Sequence, residues 1–226
     1  MDAPDLPIDY RNDPAARLAE WHRYYSEKRI GHQWLQVHLL QGLDVRSVLE
    51  VGPNLGLVTA LLDNAGYRVT TLDVMPSQYH RPEIAHIEAE LTAVTAEQMA
   101  GHDVIICCET LEHLHWERVD GILERFRAAA PRQLIVSVPY MGLQLDWRLY
   151  FNAHTWRSKF SFKKLNFFKT FRFDDQADPW GHKWEVGYRG RSLKALEAKF
   201  AATGWRVAAR EFTSPTRSVF YRLTPI

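Results

Sequence analysis

The sequence predicts a single α/β domain, with a mostly parallel sheet packed between layers of helices. Three observations predict it. Strand-like and helical patterns alternate through five strand–helix units. Several strand-like runs, such as 104–108 and 133–138, are continuously apolar, as strands covered on both faces are. The chain closes with two further runs, 205–212 and 219–223, separated by Thr-Ser-Pro-Thr, which reads as a hairpin with an antiparallel last strand. Together these give a three-layer sandwich around seven strands.

Taken in order, residues 1–13 are rich in Pro and Asp and read as an irregular arm. Asp13 and Pro14 suit the cap and first position of a helix. Leu18, Trp21, Tyr25, Trp34, Val37 and Leu40 then recur at helical spacing, making 14–42 a helical cap with a candidate break at Gly31. Residues 45–51 form the first strand, 55–64 a helix, 68–72 a strand ending at Asp73, and 84–88 a weak strand. Residues 92–100 read as a short helix, 104–108 as a buried strand and 114–130 as a helix closed by Pro131. Residues 133–138 are a strong strand closed by Pro139. The pattern breaks over 140–188 and resumes with a helix over 192–203, which Gly204 ends.

Composition narrows the function. The chain has 226 residues, 46% hydrophobic and 24% charged, enough for one buried core. A formal net charge of +1 supplies no global field for nucleic acid or acidic membranes. The two cysteines, Cys107 and Cys108, are neighbours on a strand and so point to opposite faces. Both read as reduced thiols, which suits the cytoplasm. No signal peptide and no apolar run long enough for a bilayer are expected.

The most informative segment is Val48-Leu-Glu-Val-Gly-Pro-Asn-Leu-Gly56. A strand delivers Glu50, and a turn carrying Gly52, Pro53, Asn54 and Gly56 leads into a helix. Glycine there lets the backbone approach a ligand. Asp73 ends the second strand, about twenty residues beyond Gly52, where an acid can accept both hydroxyls of a ribose. A dinucleotide site needs G-x-G-x-x-G, and Asn54 and Leu57 break that pattern. Glu50 would also oppose a pyrophosphate. A ligand carrying an ammonium and a sulfonium is favoured by the same carboxylate.

Over residues 45–139 and 190–224 the chain resembles the class I S-adenosylmethionine (SAM)-dependent methyltransferases, whose fold is Rossmann-like. The resemblance implies a transferase of the EC 2.1.1 type with SAM as cofactor. It puts the acidic Gly-rich motif on Glu50 through Gly56 and the ribose acid on Asp73, beside Val74. The acid near the adenine amine falls on Glu90, beside Leu91. The stretch Asp103-Val-Ile-Ile-Cys-Cys-Glu-Thr-Leu-Glu-His113 is similar to the motif that lies along the methionine moiety, which brings in Cys108 and Glu109. Asn54 stands where the family usually has a second glycine. Asn tolerates positive φ better than most residues, which keeps the turn available.

The acceptor is not legible. A small molecule, a sugar or a lipid-linked compound is expected; an RNA-directed enzyme or a non-catalytic SAM-binding protein are the alternatives. Aromatics interleaved with Lys and Arg can bind nucleic acid, but the near-neutral charge argues against it. A hydroxyl acceptor benefits from a general base. His182, in the polar-aromatic run 180–188, is the first choice and His113 the second; His115 and His154 are further candidates. The 140–188 insertion holds seven of eleven Phe, four of eight Trp and eight Lys or Arg, and reads as a lid and acceptor pocket over the strand ends. Asp174, Asp175, Asp178 and His182 lie near one another, but their spacing matches no metal motif and no metal is expected.

Overall fold

A computed structural model describes residues 13–79, 81–163, 172–178, 180–213 and 218–226. The N-terminal arm, the middle of the insertion and the turn of the terminal hairpin lie outside the described residues.

Two helices come first, α1 (Pro14–Tyr24) and α2 (Glu27–His38). Asp13 caps α1 by accepting from the Ala16 amide at 2.9 Å. The break falls at Tyr25–Ser26, both extended, because Tyr25 turns its ring inward and is buried there. Gly31 sits within α2. Then follow β1 (Ser47–Val51), α3 (Leu57–Asn64), β2 (Arg68–Asp73), β3 (Ala85–Glu88), α4 (Ala96–Met99), β4 (Val104–Cys108), α5 (Val119–Ala128) and β5 (Gln133–Pro139). The insertion carries β6 (Gln144–Phe151) and β7 (Trp156–Lys163). The chain ends with α6 (Leu193–Ala202), β8 (Trp205–Phe212) and β9 (Ser218–Pro225).

Seven strands form one sheet in the order β3-β2-β1-β4-β5-β9-β8. β1 to β5 run parallel to one another, and β9 runs antiparallel between β5 and β8. Every residue of β1 and β4 is buried. Successive residues serve opposite layers. Leu49, Ile105 and Val136 pack with Ile122 and Phe126 of α5 and Phe200 of α6. Val48, Ile106 and Ile135 pack with Val37 of α2 and Val58 and Leu62 of α3. Cys107 and Cys108 go to opposite layers for the same reason, and both are free thiols.

The helix expected over 114–130 is shorter. Two 3-10 turns, Leu111–His113 and Trp116–Arg118, precede α5. The carbonyls of Glu112 and Leu114 are taken by the Lys183 amide (2.7 Å) and the Trp184 indole (2.9 Å). Carbonyls held by another segment cannot serve an α-helix.

The insertion was expected to be a lid, and only part of it approaches the strand ends. β6 and β7 form a separate antiparallel ribbon with residues 145, 147, 149 and 151 strongly exposed. The returning chain, 180–188, docks on the main sheet: Met141 donates to Val186 (2.7 Å) and Val186 to Pro139 (3.0 Å).

Candidate functional site

A cavity of about 1030 Å³ opens at the carboxyl ends of β1, β2 and β4. The strand order reverses between β1 and β4, and ligands of open α/β sheets bind in the crevice such a reversal leaves. Helices α1 and α2 wall one side with Tyr24, Arg29, His32 and Gln36. Trp180, His182 and Glu185 wall another.

Of the residues singled out in sequence, Glu50, Gly52, Pro53, Asn54, Asp73, Val74, Glu90, Leu91, Cys108, Glu109, His113 and His182 all line this cavity. Gly56 does not, nor do the further base candidates His115 and His154. Gly56 caps α3 in the left-handed region, and a Cβ there would meet the Tyr79 side chain at 2.8 Å. Its place is in the turn, one step behind the wall. Gly52 lies on the wall at φ +73°, and a Cβ on it would come within 2.6 Å of the Thr110 hydroxyl. Asn54 takes φ 51°, so the turn closes without a second glycine.

Glu50 ends nearly buried, with the Thr59 hydroxyl donating to it at 2.6 Å. Burial pushes its carboxyl up to about 7, against the Thr59 hydrogen bond and with help from the Asp73 charge. Asp73, at the end of neighbouring β2, accepts from the Met75 amide at 2.9 Å. Burial raises it as well, opposed by backbone amides and His86. A buried acid with few donors is short of a cation.

After β4 the chain turns sharply, with Glu109 at φ 50°. Glu109 accepts from Ser137 of β5 (2.8 Å) and Ser218 of β9 (3.2 Å), and lies 3.5 Å from His32 of α2. Burial would raise its carboxyl, but His32 and the two hydroxyls hold it below the ordinary value. Three elements are therefore tied to one side chain. Burial and the neighbouring Glu109 and Glu185 drive Glu112 the other way, well above the usual range. His113 and His182 stack edge to face with centroids 5.1 Å apart, and burial, then His182, lowers the His113 ring. Sequence reasoning missed Glu112, Glu185, His32 and Gln36. The signal for Glu112 was inside the segment 103–113; the others come from regions whose contact with the strand ends no local pattern announces.

No protein-family profile matches this sequence, and no curated protein does. Solved structures match it at low identity over nearly their whole length. Magnesium protoporphyrin IX methyltransferase from Synechocystis PCC 6803, with S-adenosylhomocysteine (SAH) bound, superposes with a TM-score of 0.61 at 14% identity. That match covers 96% of this chain and 97% of the other. An N-methyltransferase from Bradyrhizobium japonicum in complex with SAH gives 0.61 at 14%, covering 91% of each chain. The Burkholderia thailandensis 1,6-didemethyltoxoflavin-N1-methyltransferase, bound to 1,6-didemethyltoxoflavin and SAH, gives 0.57 at 16%, covering 98% and 93%. The chain thus has the Rossmann-like fold of the class I SAM-dependent methyltransferases.

Proposed function

We propose that the protein transfers a methyl group from SAM to a small acceptor, a sugar or a lipid-linked compound. One observation carries this reading. Two carboxylates, the buried Glu50 and the half-buried Asp73, end adjacent strands on either side of a glycine turn, in one cavity. The donor set fits the cofactor. An ammonium satisfies a buried glutamate, and a ribose diol satisfies an aspartate that has acceptor capacity left. Gly52 keeps the wall flat where a side chain would intrude.

SAM, when bound, supplies an electrophilic methyl group on a positively charged sulfur. This chain's residues hold it and shield it. Glu50 takes the ammonium, Asp73 the ribose hydroxyls, and Glu90 the adenine amine, while the backbone at Cys108 and Glu109 runs beside the amino-acid part. Tyr24, Arg29 and Trp180 narrow the mouth and exclude water. His113 and His182 stand where an acceptor hydroxyl would give up its proton. Displacement at the methyl carbon depends chiefly on alignment, so a rigid cavity supplies much of the rate. The two buried free thiols fit a reducing compartment, and a cytoplasmic setting is part of this reading.

Asp73→Ala tests it. The variant loses two charge-assisted hydrogen bonds of roughly 1.5–3 kcal/mol each, so SAM affinity in calorimetry should fall by about 100-fold or more. Unchanged affinity would remove Asp73 from the ribose. Transfer of labelled methyl from SAM into fractionated cell extract then identifies the acceptor.

A further inference from the structure

We propose that Glu112, His113 and His182 form a binding site for a divalent first-row metal ion, facing the cavity. Their ligand atoms all lie within 4.8 Å of one another. Glu112 is fully buried, and neither of its carboxylate oxygens accepts a hydrogen bond from another residue among the described residues. Natural proteins rarely leave a buried carboxylate so placed unless a cation or a proton completes it. Two imidazoles and one carboxylate are the donor set of open zinc and iron sites, which leaves positions for an exogenous oxygen.

The surroundings fix which atoms face the ion. His182 Nδ1 lies 3.3 Å from Glu185 Oε1 and 3.8 Å from Asp178 Oδ2. That ring nitrogen is engaged by carboxylates, which leaves Nε2 as the ligand, in the arrangement where an outer carboxylate orients a metal-bound histidine. Asp178 is itself occupied, accepting from the amides of Trp180 and His182 at 2.9 Å each. Asp174 and Asp175, which sequence proximity brought forward, are used elsewhere: Asp174 accepts from the Gln176 and Ala177 amides, and Asp175 pairs with Lys183. The Lys183 amide bond to the Glu112 carbonyl holds the two halves of the site together. Resting on the methyltransferase reading, the ion's role is to hold an acceptor oxygen near the methyl group; with the ion bound, His113 and His182 act as ligands rather than as bases, and the proton of the metal-acidified hydroxyl leaves to solvent.

Metal-free protein is titrated with Co(II) in calorimetry and absorption, with no SAM present. One ion per chain should bind with a visible d–d spectrum, and His182→Ala should weaken it by about 100-fold or more. Glu112→Gln keeps the shape of the side chain. It should lose the ion while melting no lower than the metal-free parent, because it removes an uncompensated buried carboxyl. Equal Co(II) affinity in parent and both variants, or no binding in the parent, overturns the site. SAM titrated into the same samples reads the methyltransferase proposal separately.

Discussion

Glu50 shows how one residue can report on both stability and binding. Its carboxyl is raised from 4.5 to about 7, mostly by burial. The folded state therefore holds this proton more tightly than the unfolded chain does. That stabilisation is complete below pH 4.5 and is lost as pH rises through about 7, a swing on the order of 3 kcal/mol. An ammonium ligand reverses the preference, because it favours the ionised carboxylate. SAM affinity should then climb as pH rises from about 6 to 8, and the climb should be absent in Glu50→Gln. Calorimetry across that range checks it, and a parallel slope in both proteins would remove Glu50 from the ammonium. Asp73 titrates in the same cavity and is raised too, so the Gln variant is what isolates Glu50.

At the scale of elements, what could be read from sequence depended on whether the cause was local. β1, β4 and β5 follow from short apolar runs bounded by turns, while β3 has only a weak run and β8 an alternating one, yet each lies where its run places it. The Asp13 cap is local as well. The break at Tyr25–Ser26 was not legible, because it comes from burying the Tyr25 ring against other parts of the fold rather than from Gly31. The shortening of α5 was hidden for a similar reason: the carbonyls of Glu112 and Leu114 are claimed by Lys183 and Trp184, some seventy residues on. The ribbon is the opposite case. Leu145, Trp147, Leu149 and Phe151 alternate with Asp146, Arg148 and Tyr150, a period-2 signal that composition alone obscured. The site divides the same way. The cofactor wall hangs on β1, β2 and β4, whose ends are legible. His182 and Glu185 reach the cavity only because 180–188 docks beside β5.

For the whole molecule, the cavity joins parts that are far apart in the chain: α1 and α2, the ends of β1, β2 and β4, and residues 180–185. A ligand filling it must therefore stabilise the fold as a unit, since unfolding any one of these parts opens the site. Ligand at 100 times its dissociation constant adds about 2.7 kcal/mol. For a domain of this size each kcal/mol moves the melting temperature by about 2–4 °C. SAH should then raise the melting temperature by roughly 5–10 °C, and the rise should grow with the logarithm of its concentration. NADH, with a pyrophosphate that Glu50 opposes and a turn lacking G-x-G-x-x-G, should leave it unchanged. Differential scanning fluorimetry with both ligands decides between them, because dinucleotide and SAM sites occupy the same end of such sheets. A rise with NADH and none with SAH would mean that the carboxylates serve another ligand and that fold likeness misled the assignment.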